Sequence, residues 1–145
     1  MPLHLVKLSV GVDTIEQLGE LIQNRLADKK RRKEPVEHLH TTRVVPKRAA
    51  EILDGGSVYW VIRRQIAVRQ RLVDIRPTVG ADGVARCHLV LDPALTPVMP
   101  RAHRPFQGWR YLAHDDAPPD LTAQTGAVAD MPEALRRELR ELGLL

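Results

Sequence analysis

Ser57-Val58-Tyr59-Trp60-Val61-Ile62, followed after Arg63-Arg64 by the run Gln65–Ile75 (QIAVRQRLVDI), is the stretch that decides the fold. Both runs are rich in Val, Ile and aromatic residues, which fit a pleated, half-buried surface, and they read as strands over 57–62 and 65–75. The two-residue interval predicts a hairpin, although Arg-Arg fits poorly to the φ > 0 turns that hairpins prefer. If Ile62 opposes Gln65, strand alternation puts Tyr59, Val61, Ile66, Val68 and Leu72 on one face and Trp60, Ala67, Arg69 and Arg71 on the other. The first face reads as core. The second sets an indole beside guanidinium groups.

On the N-terminal side, residues 3–10 (LHLVKLSV), closed by Gly11, read as a strand. Asp13 with Glu16 makes a capping box, after which Ile15, Leu18, Leu21, Ile22 and Leu26 recur at helical spacing. This helix runs out in the basic block Lys29–Lys33, and Pro35 blocks its continuation. A strand over 39–45 ends at Pro46, and a short helix over Lys47–Leu53 stops at Gly55-Gly56. On the C-terminal side, Ala81-Asp82-Gly83 is a turn before a strand over 84–91, which Asp92-Pro93 ends. Four prolines make 93–105 extended or irregular, ahead of a last short strand near 107–112. Residues 113–130 read as a surface loop. Asp130 caps a helix at 131–143, with Leu135, Leu139 and Leu142 on one face. This order is α+β: a strongly curved mixed or antiparallel sheet, or a small open barrel, with packed helices.

The chain's 145 residues suit one domain, 1–145, and no apolar run approaches the roughly 20 residues that span a bilayer. The N-terminal segment shows no basic leader, and the single Cys87 forms no internal disulfide, so a cytoplasmic protein is expected. The formal charge of +4 conceals an uneven layout. Residues 1–24 carry one basic and three acidic residues, residues 25–110 carry 18 basic and eight acidic, and residues 111–145 carry three basic and seven acidic. A basic middle between acidic ends either binds a polyanion or is covered by the chain's own ends.

The five aromatic residues fall in two clusters, Tyr59-Trp60 and Phe106/Trp109/Tyr111, in or at the edge of the basic middle. Indoles beside arginines can stack bases and hold phosphates. The leading expectation is therefore a non-catalytic RNA-binding module, with Trp60 and Trp109 stacking and Arg69, Arg71, Arg101, Arg104 and Arg110 contacting phosphates or base edges. One alternative is a small enzyme for a nucleotide-like or anionic metabolite, with Tyr59, Asp74 or a histidine as acid or base. Another is an interaction or oligomerisation domain using the terminal helix. Ser9 and Ser57 lie in no G-x-S-x-G elbow. Cys87 and His88 are strand neighbours that point to opposite faces, so His88 does not serve the thiol as base. His38 and His40, with Glu37 adjacent, lack a second pair at ligand spacing, so no metal or other cofactor is expected. Gly55-Gly56-Ser57 lacks the P-loop lysine, and its glycines follow a helix instead of opening one.

The chain resembles a family of short alphaproteobacterial proteins known as domain of unknown function fourteen-eighty-nine. The resemblance rests on Pro46-Lys47-Arg48-Ala49 with Leu53-Asp54-Gly55-Gly56-Ser57, on Tyr59-Trp60-Val61-Ile62 with Arg69-Gln70-Arg71, on Leu89-Val90-Leu91-Asp92-Pro93, and on Arg104-Pro105-Phe106-Gln107-Gly108-Trp109-Arg110-Tyr111-Leu112. It implies no particular activity. More loosely, the Lys47–Gly56 helix ending in Gly before a strand is similar to PUA-like and ASCH domains, small barrels that bind RNA or process modified nucleosides. The Lys and Glu that usually follow that Gly in ASCH-type sequences are absent from Ser57–Arg63.

Overall fold

The computed structural model describes residues 2–121. Its elements are β1 (His4–Leu8), α1 (Ile15–Arg31), β2 (His38–Thr42), α2 (Ala49–Leu53), β3 (Ser57–Ile62), β4 (Gln65–Val79), β5 (Ala85–Leu91), β6 (Thr96–Ala102) and β7 (Trp109–Leu112), then a 3-10 turn at His114–Asp116. The fold is α+β. Seven strands form one curved, open sheet in the order β2-β5-β4-β3-β1-β7, with β6 also paired to β4. β1 and β3 are parallel, and every other strand pair is antiparallel. No helix among the described residues is long and apolar enough to cross a membrane.

β3 is buried at all six positions because both faces of the sheet are covered. On one face, Leu5, Val58, Trp60, Ile62, Leu72, Leu89 and Leu91 pack with Leu18 and Ile22 of α1. On the other, Val6, Tyr59, Val61, Ile66 and Val98 pack with Phe106 and Leu112. The cap of α1 is Thr14, not Asp13: its side chain accepts from the Gln17 backbone, and the Gln17 side chain accepts from the Asp13 backbone, one residue along from the expected box. Gly55 ends α2 at φ +97°, and a Cβ on Gly56 would lie 2.2 Å from the Leu3 carbonyl oxygen. Here the α2–β3 corner needs glycine because it presses against the start of β1.

β4 runs past the expected Ile75 to Val79, with Pro77 inside it. From Leu72 onward it pairs with β5, whereas up to Arg71 it pairs with β3 and up to Arg69 with β6. Pro77 is accommodated where β4 has a single ladder partner. The same reasoning accounts for β6, a strand within the stretch expected to be irregular: Pro97 and Pro100 sit on a strand that bonds to β4 alone among the named strands. The curl brings the two ends of the sheet together. The chain leaving β2 meets β7 where Trp109 Nε1 donates to the Val44 carbonyl at 3.0 Å and the Arg48 backbone donates to Tyr111 Oη at 3.2 Å. Of the expected surface loop, Asp120 makes a bridge with Val98. The expected helix at 131–143 lies outside the described residues.

Candidate nucleic-acid interface

The hairpin begins in the expected register, Ile62 opposite Gln65 and Val61 opposite Ile66. Trp60 then pairs with Val68, so Ala67 is an extra residue, a β-bulge. A one-residue slip exchanges the faces of everything beyond it. Arg69 therefore lies opposite Tyr59, and Arg71 opposite Ser57, on the face away from Trp60. This corrects the expectation that Trp60, Arg69 and Arg71 share one surface.

Trp60 is 4% exposed, and its Nε1 donates at 2.8 Å to Gln70 Oε1. Gln70 in turn donates to the Asp92 carbonyl at 2.9 Å. A ring sealed in this way is core and offers no face to a base. Arg69 is likewise engaged. It donates twice to Asp120, at 2.7 and 2.8 Å, and once to Ser57 Oγ at 3.0 Å. Hydrogen bonding to Asp120 raises the Arg69 pKa, and hydrogen bonding to Arg69 lowers that of Asp120. The Ser57 backbone donates to His4 Nδ1 at 3.0 Å, which leaves the His4 proton on Nε2, 3.0 Å from His114 Nδ1. Burial, then the nearby charges of His114 and Arg69, push the His4 pKa down to about 4. This His4–Ser57–Arg69–Asp120 network ties β1, β3 and β4 to the segment after β7.

Trp109 stands differently. It is half-buried, packed on one side against the main core, and it lines a groove of about 600 Å³ with Lys7, Thr41, Thr42, Arg43, Val44, Gln107 and Gly108. Lys7 is its register partner on β1, and Trp60 is the partner of Lys7 on β3. Burial lowers the Lys7 pKa. Among the described residues no carboxylate lines the groove. Tyr111 meets Trp109 edge-on with ring centroids 4.9 Å apart, and the Arg48 guanidinium lies 5.7 Å from the Tyr111 ring centroid.

The remaining predicted cations are exposed. The Arg110 guanidinium lies 5.3 Å over Phe106, Arg101 donates to the Asp116 carbonyl, and Arg104 sits in the loop between β6 and β7. Arg101 opposes Ile66 near the β3–β4 tip, and the His103 backbone donates to the Arg64 carbonyl at 2.8 Å. Arg63 and Arg64 form that tip with φ of 52° and 66°. Arg63, Arg64, Arg101 and Arg104 thus gather at one end of the sheet, and loop 103–108 connects this end to the Trp109 groove. Arg71 lies apart, toward the start of β3. Lys7, Arg43, Arg63 and Arg64 were absent from the expected site. Two signals pointed to three of them: a lone lysine within the apolar run of β1, and an Arg-Arg pair where a hairpin favours Asn-Gly.

Burial raises the Cys87 thiol pKa, and His88 on the opposite face shares a 3.1 Å hydrogen bond with Thr41. Arg76 hydrogen-bonds to Asp74 and lowers its pKa. Among the described residues no three His, Cys, Asp or Glu side chains converge to hold a metal ion. No curated protein and no solved structure matches the chain, so the looser likeness to PUA-like domains finds no counterpart there. The model of one family, described as "Protein of unknown function (DUF1489)", matches residues 5–145, and the chain belongs to that family.

Proposed function

We propose that the protein is a non-catalytic module that binds single-stranded RNA along the Trp109 groove and the arginine-rich end of the sheet. The observation that carries this reading is the groove itself: a half-buried indole shares it with Lys7 and Arg43, with no carboxylate among the described residues of the lining. Single-strand binding combines an aromatic platform with a positive track for the backbone. Trp109, beside Tyr111, is the platform. Arg43, Arg63, Arg64, Arg101, Arg104 and Arg110 are the track. Trp60 and Arg69 support it from the core and from the Asp120 ion pair. A cytoplasmic location, where RNA is met, fits this role.

Fluorescence anisotropy with single-stranded RNA, structured RNA and duplex DNA at low and moderate salt tests the proposal. Binding is expected to be tightest to single-stranded RNA, with an affinity that falls as salt rises by a log–log slope of about 0.7 per phosphate contact. Trp109→Ala is expected to weaken it by roughly 5- to 150-fold, the loss of one stacked base at ~1–3 kcal/mol. Absence of binding to any of the three polymers at low salt overturns the reading.

A further inference from the structure

Beside the groove lies a second, partly open cavity of about 130 Å³ between β1, β2, β3 and α1. Lys7 belongs to both spaces, and the second one is also lined by Arg25, His38, His40 and Trp60. Its polar lining consists of Lys7, Arg25, His38, His40, Ser9 and the Trp60 indole, and no Asp or Glu lines it among the described residues. His40 Nε2 is buried there without a hydrogen-bond partner. Folded proteins seldom leave a buried polar atom unpaired, since the omission costs about 1–3 kcal/mol. Neither Lys7 nor Arg25 forms an ion pair among the described residues.

The cavity is far smaller than the roughly 300 Å³ of sites that enclose drug-sized ligands. It suits a compact oxyanion. We infer that this second cavity is a binding site for a phosphate group, held by the Lys7 ammonium, the Arg25 guanidinium and the unpaired Nε2–H of His40. The lone imidazole atom gains an acceptor, and the desolvated ammonium gains its counter-charge. Burial, reinforced by Lys7, His38 and Arg25, lowers the His40 pKa to about 4, so without an anion the imidazole is neutral at pH 7 and can carry its proton on Nε2. The position of Lys7 between the two spaces places the bound phosphate next to Trp109. A terminal phosphate of a strand lying in the groove and a free phosphate ion are therefore the two sources of the same chemistry. The first source rests on the function proposed above; the site itself does not.

The test uses the full chain, titrated with inorganic phosphate at constant ionic strength and pH 7, with the histidine ring resonances as readout. Saturable shifts of the His40 signals are expected, with the dissociation constant raised tenfold or more in Lys7→Met and in Arg25→Gln and unchanged in Arg86→Gln, whose side chain pairs with Asp82 at the β4–β5 turn. Arg25 is exposed, so its substitution keeps the test valid should Lys7→Met fail to fold. Absence of a saturable shift, or one equally strong in both cavity variants, overturns the inference. Short oligoribonucleotides with and without a 5′-phosphate separate the sources. A tenfold preference for the phosphorylated end, lost in Arg25→Gln, identifies the strand terminus as ligand, while equal affinities beside intact phosphate binding identify the free ion. Phosphate binding without any RNA binding leaves this site standing and removes the proposed function.

Discussion

Replacing the hairpin tip by Arg63→Asn/Arg64→Gly sets the fold against the proposed function. Both arginines hold left-handed backbone, at φ 52° and 66°, where an ordinary L-residue costs roughly 1–2 kcal/mol. Asn tolerates this region and Gly has no Cβ to clash, so the pair matches a type I′ turn. Against the relief stands the greater unfolded-state freedom of Gly, about 0.5–1 kcal/mol. Neither arginine forms an ion pair among the described residues, and the bond that the Arg64 carbonyl accepts from His103 is backbone and survives. The net expectation is a gain of about 1–2 kcal/mol, a rise in Tm of roughly 3–8 °C for a domain of this size. Urea denaturation at equilibrium measures it, with an unchanged m-value as the sign that only the turn was altered. The same variant is expected to flatten the salt dependence of RNA binding by a slope of about 1.4, two single-strand phosphate contacts. Unchanged or reduced stability refutes the strain argument. A stabilised variant that binds RNA with an unchanged slope removes the tip from the interface.

Trp60→Ala is expected to cost about 3–5 kcal/mol in urea unfolding, as a large core truncation does. Trp60→Phe should cost less while leaving Gln70 Oε1 without its donor, and a small loss in both variants would contradict burial of the indole. A double-mutant cycle on Arg69→Ala and Asp120→Ala should give a coupling of about 1–2 kcal/mol, between exposed and fully buried pairs, because these side chains are 27% and 33% exposed. A coupling near zero refutes the ion pair. His4 contributes a pH dependence. Its folded pKa of about 4 lies below the unfolded 6.5, so its stabilisation is complete above pH 6.5 and is lost as pH falls toward 4. Roughly 3 kcal/mol is at stake, and His4→Gln should reduce the slope of the unfolding free energy between those limits, His38 and His40, whose pKa values are also lowered to about 4, keeping the rest.

The sequence carried the elements well where periodicity and breakers agreed. The α1 stripe from Ile15 to Leu26, the Gly55-Gly56 stop and the pairing of Ile62 with Gln65 all lie where their residues place them. The misreadings came from tertiary pairing. Pro97 and Pro100 argue against a strand until β4 is seen to offer an edge that asks little of their missing N–H groups. Ala67 looks like any other strand residue, yet as a bulge it reverses which of Trp60 and Arg69 can share a face. Of the two tryptophans chosen by composition, Trp109 lines an open groove and Trp60 is sealed, a difference set by α1 and Gln70 and not by anything adjacent in sequence.

The uneven charge layout posed a choice between a bound polyanion and an acidic end folded over the basic middle, and the ion pairs bear on it. Arg31, Arg48, Arg76 and Arg86 are paired with Asp28, Glu51, Glu37 and Asp74, and Asp82, all from within the middle segment itself. Asp120 is the one acid of the C-terminal segment that forms an ion pair among the described residues, and it takes Arg69. Five of the middle segment's eight carboxylates are thus taken by its own arginines. Many cations are left without ion pairs among those residues, Arg25, Arg32, Arg43 and Arg71 included, and of these Arg63, Arg64, Arg101, Arg104 and Arg110 lie at the hairpin tip and along the chain that leads to and past Trp109. On the proposed function, the unpaired cations beside the groove that holds the half-buried indole are the part of the basic middle on which a phosphate chain docks, while the acids beyond Leu121 lie outside the described residues.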